Sequence, residues 1–530
     1  MKKNNIVFLS LALFATLNVV GCSSGEIKGK EGTLKISIFE GGSGNTWAHK
    51  VVAAYKKYNP NANIEVNFDP LVRDEAVNAC DTNQSDSDIF FIDGVNVPRY
   101  VETKGSIADI SELYTLKPKA GEKEENITIA DKIKPEILNE MKYNGDNEKY
   151  QNHYYTAPFT SGPCSLIINV DAMNNALGEN NWTEPKTSNE LLKLCADIAA
   201  AEAKVKIAGA PYTVFPFMYS EAVEYWRYMY NTWIAQYEGF EGWQTYTDLR
   251  VNGQYSMDAY FPEGKTKALT EFENIIKRAN GYCDPTSMGN KFQASQKYFF
   301  QGRACMYVCG DWLEREMENS TSYSANLRMI RVPMLSDIAS KIEEKYNVSL
   351  GATEEEKDQK LSQIVSAIDK KETEVAGVDA NIFNYVKELR GYTYTLGHAS
   401  YGFIPECSVN KDMAIDFLRF MYTDEAIQII FEDTKSLIPV KDVTKYSLDK
   451  TVVSDFRKSV LNIIDDNSTK LIFFSNKSPI HYRSGLGESA NNEKPEIALG
   501  KKTGAMTAQE YISKDRNILS AQWNELLKYA

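Results

Sequence analysis

Several things are scarce in this chain, and each scarcity removes a class of function. After about the first twenty residues no run is long and apolar enough to span a bilayer, so the roughly five hundred residues that follow read as soluble. Positive charge is in deficit: 59 Lys and Arg against 72 Asp and Glu leave a net charge of −13 and a pI near 5.1. Such a surface repels a phosphate backbone, which argues against nucleic acid as a partner. Cysteines show no Cys-x-x-Cys pairing, and after Cys22 an odd seven remain: Cys80, Cys164, Cys195, Cys283, Cys305, Cys309 and Cys407. An odd number cannot all be bridged internally, so buried free thiols are expected, not a disulfide scaffold. Cys305 and Cys309 are four apart, but the alternation around them reads as strand and not as a metal or redox pair. Histidine occurs only at 49, 153, 398 and 481, too dispersed for His-Glu-x-x-His spacing, and no metal or cofactor is expected. There is no Gly-x-Ser-x-Gly. Gly41, Gly42 and Gly44 are not followed by the Gly-Lys-Ser/Thr of a phosphate loop. Asp81 to Asp88 is acidic but lacks the glycine and glutamate of a calcium loop. No internal repeat of fixed period is present.

The exception to the lack of apolar runs is the beginning of the chain. Lys2 and Lys3 precede a mostly apolar stretch from Ile6 to Val20, about fifteen residues, which has the form of an export signal and is too short for a membrane span. It ends in Val19-Val20-Gly21-Cys22, which resembles the lipobox of bacterial lipoproteins. That resemblance implies a signal peptide over 1–21, diacylglyceryl attachment at Cys22 and a flexible tether over 22–32, anchoring the protein at the outer face of the cell membrane. The other reading of the same residues is an ordinary signal peptide with an incidental cysteine.

Length and periodicity then give the fold class. Five hundred residues exceed one hydrophobic core, so two or more lobes are expected. Leu34, Ile36 and Ile38 alternate as a strand, and Trp47, Val51, Ala54, Tyr55 and Tyr58 share one helical face. Ile64, Val66 and Phe68 alternate again, completing a βαβ unit. The unbroken run Ile89 to Ile92 before Asp93-Gly94 predicts a strand buried on both faces, as in parallel sheets. Ser165 to Val170 predicts another. Thr187 and Glu190 form a capping-box pattern for a helix with an apolar face of Leu191, Leu192, Cys195 and Ile198. A further helix is expected from about Lys265 to Asn280, with Gly281 as its cap. From about 335 to 389 the chain turns charged and helical, with Thr353 and Glu356 as a second capping pattern, which predicts an insertion packed on a lobe. The class is α/β.

Several segments, in order, resemble the extracellular solute-binding proteins of the maltose-binding type. These are Ile36 to Gly44 with Trp47 opening a helix, and Tyr154-Tyr155-Thr156-Ala157-Pro158-Phe159 before a strand ending Asn169-Val170-Asp171. Pro185-Lys186-Thr187 leads into Leu191-Leu192. The most specific is Phe300 to Trp312, similar to that family's Gly-x-Ala-Ala-Met strand ending in Gly-x-Trp. Gly402-Phe403-Ile404-Pro405, Ala414 to Met421 and Leu437-Ile438-Pro439-Val440 complete the set, which together spans nearly all of 33 to 445. The resemblance implies a two-lobed periplasmic-binding-protein-like fold (type II) with a ligand cleft between lobes joined by hinge crossovers. By analogy lobe 1 is 33–157 plus 333–435, carrying the 335–389 insertion, and lobe 2 is 158–332 plus 436–530. It further implies a monomeric receptor, without catalytic activity, that captures a carbohydrate and delivers it to the permease of an ABC importer. The 335–389 insertion and the tail beyond 445 depart from the family pattern and leave the solute open.

Ligands of open α/β sheets sit beyond the C-terminal ends of strands, which selects Glu40, Gly42, Ser43, Asp93, Asp311 and Trp312 whatever the family. A sugar presents hydroxyl edges and C–H faces, so its site needs carboxylates at the rim and flat aromatics above and below. The stretch from Tyr212 to Phe261 is dense in aromatics, and Trp226 and Trp233 are candidate platforms, although with Tyr230 they also fit a buried helix stripe. Glu40 and Asp93 fit helix capping as well as ligand contact. His398 and Tyr401, in a glycine-flanked turn, complete the candidates. Two other readings stay open: a surface glycan hydrolase, since 72 acidic residues always allow a carboxylate pair, and a binding protein for a peptide or polyamine.

Overall fold

The computed structural model describes residues 32–530 except 40–43, 144, 146, 221–224, 319–323, 397–399, 437, 447–452 and 475–477. The alternating segment Thr33–Phe39 forms an interior strand of the first sheet, and its even positions Leu34, Ile36 and Ile38 are all buried while Lys35 is exposed. It lies parallel to Asn63–Asp69 on one side and to Ile89–Ile92 on the other. Two antiparallel pairings, of Ser400–Phe403 with Ile89–Ile92 and of Ser400–Phe403 with Ala157–Thr160, complete five strands. The run at 89–92 is buried at every position, as a strand covered on both faces must be. Helix Thr46–Tyr58 covers one face with Trp47, Val51, Ala54 and Tyr55.

The second sheet is built around Pro163–Asn169, all seven residues buried, with Ala304–Gly310 antiparallel on one side and Tyr392–Thr395 and Leu327–Ile330 on the other. Phe215–Phe217 and Lys470–Ile472 extend it. Leu166, Ile168, Met306 and Val308 point from this sheet into a core that also holds Trp226, Trp233, Leu269 and Phe272. The expected helices form: Ser188–Ala201 is capped by Thr187, which accepts from Glu190 N, and Glu263–Ile276 is followed by a short 3-10 turn ending at the left-handed Gly281. Neither capping pattern closes into a reciprocal box. Glu190 accepts from the N–H of Lys186 and Glu356 from that of Ala352, each one residue before the cap. Cys305 and Cys309 are buried thiols in the strand, as expected.

One boundary differs from the expectation. The charged insertion is three helices, Ile338–Tyr346, Glu354–Asp369 and Ala380–Gly391. Their apolar faces (Ile338, Ile342, Leu361, Ile364, Val365, Phe383, Val386) join the core of the second sheet, not the first. The strand that follows them also belongs to the second sheet. The chain therefore returns to the first sheet between Thr395 and Ser400, some sixty residues later than the boundary at 332/333. The physical reason is that the insertion's apolar stripe needs an apolar surface to cover it, and it finds one on the second lobe, where Ala380–Gly391 packs on the helix Arg227–Asp248.

Candidate ligand-binding cleft

In the first sheet Thr33–Phe39, Ile89–Ile92 and Ala157–Thr160 run the same way, so Phe39, Ile92 and Thr160 share one edge. In the second, Gly310 pairs with Cys164 and Thr395 with Pro163, so the strands 304–310 and 392–395 both end where 163–169 begins. Only Ser161 and Gly162 separate Thr160 from Pro163. The strand ends of both sheets thus converge on one short crossover, which is where α/β folds hold ligands.

Along the second-lobe wall runs a row of aromatics. Trp312 follows the strand 304–310 and is half-buried; it meets Tyr225 edge-on at 6.2 Å and Tyr228 at 6.4 Å between ring centroids. Tyr225 stacks on Tyr228 (5.5 Å) and Tyr228 on Tyr394 (5.3 Å). Gly310 is required here, since a Cβ at that position would come within 2.0 Å of the indole that folds back over it. Edge-on packing from behind holds an indole rigidly without covering both of its faces.

The charged groups around the crossover are paired. Arg73 binds the Asp93 carboxylate with two nitrogens, and its guanidinium lies 3.7 Å from the Phe39 ring centroid. Arg227 faces Glu488 at 3.7 Å, and Glu488 also accepts from Asn231 at 2.9 Å. Arg315 pairs with Glu318 and lies 4.0 Å from Asp433. Arg457, with burial pulling its pKa below the usual guanidinium value, meets Asp311 Oδ2 at 3.5 Å and the Asp311 carbonyl at 3.2 Å.

Contacts between the lobes bracket the opening. At one end Arg315 Nη2 lies 3.5 Å from Thr46 Oγ1. At the other, Asn96 Nδ2 donates to the Tyr482 carbonyl at 2.6 Å, and Glu102 accepts from the Tyr482 hydroxyl (2.7 Å), from Arg483 Nε (2.9 Å) and from the Tyr143 hydroxyl. Beside this second set is a cavity of about 90 Å³ lined by Val95 to Pro98, Tyr143, Tyr155, Tyr401 and Tyr482, among others.

A sequence profile of the bacterial extracellular solute-binding proteins matches residues 50–455, more than three-quarters of the chain. The chain belongs to that family. No curated protein sequence registers as a relative. Among solved structures, similar folds include a protein from work on xylan utilization by the thermophilic bacterium Caldanaerobius polysaccharolyticus (TM-score 0.59, 16% identity, covering 92% of this chain and 99% of the other). An ABC substrate-binding protein from Listeria monocytogenes in complex with cycloalternan gives 0.58, 14%, 92% and 98%. The GacH receptor of Streptomyces glaucescens, solved unliganded and with acarbose, gives 0.57, 14%, 94% and 99%. At such identity these likenesses establish the two-lobed fold. Membership in an extracellular family makes this an exported protein, and among the described residues no helix is long and apolar enough to cross a membrane.

Within this solute-binding protein the residues singled out from sequence separate into three groups. Cys22, Glu40, Gly42, Ser43 and His398 lie outside the described residues. Trp312 and Asp93 stand at the strand ends on opposite sides of the crossover, Asp93 already engaged by Arg73. The remainder are corrected by burial. Trp226 is core, packed on Phe217 and Phe272 at 5.2 and 4.9 Å. Trp233 is fully enclosed and donates its indole N–H to the Pro333 carbonyl at 2.7 Å. Asp311 is buried under Arg457 and against Gly162, where a Cβ would come 2.0 Å from its carboxyl carbon, so it packs on the crossover. Tyr401 lines the small cavity with its ring, but its hydroxyl is spent on the Val95 carbonyl at 2.8 Å, and burial raises its pKa above the usual phenol value. Glu102, Tyr143, Arg227, Tyr482, Arg483 and Glu488 escaped sequence reasoning because no short motif holds them. The only signal was the aromatic and charged mixture around Tyr482-Arg483.

Proposed function

We propose that this protein is the substrate-binding lipoprotein of an ABC importer, anchored through Cys22, and that it captures an uncharged oligosaccharide between its lobes and delivers it to the permease. Its role is binding and not turnover. The observation that carries the reading is the half-buried Trp312 at a strand end beside the crossover, backed edge-on by Tyr225 and Tyr228: a ring surface backed by other rings suits the C–H face of a sugar. Two further observations support it. The arginines Arg73, Arg227, Arg315 and Arg457 are already paired with Asp93, Glu488, Glu318 and Asp311, so a charged solute would have to break an ion pair to gain one of these groups, whereas a neutral polyol adds hydrogen bonds without that cost. Two proteins of the same fold were solved in complex with cycloalternan and with acarbose. The lobes are taken as 33–160 plus 400–440 and 163–395 plus 455–530, with the first crossover at 161–162. Solute contacts to both lobes bias the hinge toward the shut form that the permease reads.

A thermal-shift screen over neutral mono- and oligosaccharides, uronates, peptides and polyamines tests this. A ligand at a hundred times its Kd stabilises by about 2.7 kcal/mol. The reading requires a neutral sugar to shift the transition, Trp312→Ala to abolish that shift, and no reducing ends to appear on prolonged incubation. A uronate, peptide or polyamine giving the only shift would overturn it.

A further inference from the structure

The cross-lobe set on Glu102 is more than packing. Glu102 sits in the helix Val97–Thr103 of the first lobe, and its side chain is only 7% exposed although it carries charge. Burial alone would push its pKa up, yet hydrogen bonds from Arg483, Tyr143 and Tyr482 leave it below the usual carboxylate value, so it is ionised and satisfied by those donors. Two of the donors, Tyr482 and Arg483, lie in the helix Pro479–Ser484, whose Ile480 packs with Leu249, Tyr260, Leu519 and Leu526 of the other lobe. The third, Tyr143, belongs to Glu102's own lobe and shares with Tyr482 the wall of the small cavity. Gly145 covers both hydroxyls, and a Cβ there would lie 2.2 Å from the Tyr143 oxygen and 2.7 Å from the Tyr482 oxygen. Arg483 Nη1 also holds the Tyr529 carbonyl at 3.0 Å, tying the set to the end of the chain.

We propose that Glu102, with Tyr482 and Arg483, is a latch that holds the two lobes together in the absence of solute and thereby sets how much of the protein is shut before ligand arrives. Parting the lobes separates one buried carboxylate from an arginine and a tyrosine hydroxyl at once. Tyr143 stays with Glu102 and partly satisfies the open form, which makes the latch reversible. Where solute binds both walls, apparent affinity scales with the fraction already competent, so loss of the latch weakens binding without removing a solute contact. That last consequence rests on the cleft being the solute site; the latch itself does not.

The test uses the ligand-free, full-length exported domain. Glu102→Ala and Arg483→Ala are each expected to raise the radius of gyration in small-angle scattering, and the double variant no further than either single one. Tyr482→Phe, which loses only the hydroxyl and keeps the packing, should shift it the same way by less, and it decides the matter if the alanine variants fail to fold. With a sugar identified by the screen, the same variants should bind about tenfold more weakly. An unchanged radius in the folded variants overturns the latch. A changed radius in a protein that binds no sugar upholds the latch and removes the functional reading instead.

Discussion

Replacing Arg457 by Met leaves a methylene stem of similar length in the same channel but removes the cation that pairs with Asp311 at 3.5 Å. The two side chains are 3% and 2% exposed, so neither reaches solvent in place of its partner. Arg457 also bonds the Asp311 carbonyl at 3.2 Å, while the Asp311 N–H donates to the Pro163 carbonyl at 3.1 Å, and the carboxylate is wedged against Gly162. The pair therefore fixes the end of strand 304–310 against the first crossover. Stripping one partner from a buried ion pair costs about 3–5 kcal/mol, because the remaining charge is left without compensation, whereas replacing both with apolar side chains of similar volume is close to neutral. Arg457→Met should thus lower unfolding stability by about 4 kcal/mol, and Asp311→Leu with Arg457→Met together should recover most of it. Urea unfolding followed by tryptophan fluorescence measures this, with the slope of each transition compared to establish that the same unit unfolds. A loss below about 1 kcal/mol in Arg457→Met, or a double variant worse than the single one, would refute the claim that Asp311 is a structural and not a solute-binding carboxylate.

Three further outcomes follow from other parts of the molecule. Burial raises Glu271 to about 7, with Asn274 its weak donor at 3.5 Å. The folded state therefore holds a proton that the unfolded state releases near pH 4.5, and stability attributable to Glu271 falls as pH rises from about 4.5 to 7, by about 3 kcal/mol in all. Glu271→Gln should remove that slope and be the more stable protein at pH 8, as read from urea midpoints across pH. Burial lowers His481 to about 4, which gives the opposite sign: stability is lost as pH falls from about 6.5 to 4. Because the two windows overlap and offset, the wild-type curve should be flatter than that of Glu271→Gln, which should show the His481 loss exposed. Lys132, 5% exposed and bonded to Glu125 (2.6 Å), Asp424 (2.8 Å) and the Tyr422 carbonyl (2.7 Å), joins three segments of the first lobe. Lys132→Met should cost about 2 kcal/mol in the same assay, less than a fully buried pair because both carboxylates keep some water.

Periodicity alone determined much of this protein. Alternation at Leu34, Ile36 and Ile38, the solid run 89–92 and the helical stripe from Trp47 to Tyr58 are local patterns, and each became the element it described, because burying an apolar face is decided within a turn or a strand's length. The position of Trp312 at a strand end was equally local. Tertiary structure decided the rest. Trp226 and Trp233 fit a ligand platform as well as a buried helix stripe in sequence, and only the sheet and helices packed over them make them core. Asp311 reads as a ligand carboxylate until Arg457, 146 residues away, is brought against it. Likewise the 335–389 helices carry a clear apolar stripe, but a stripe says that a face must be covered and not which sheet will cover it. Glu102 and Arg483 are 381 residues apart and belong to no motif; their meeting exists only because two lobes close on each other. Local sequence sets which side chains are buried, but the partner of a buried charge comes from whatever distant segment the fold delivers.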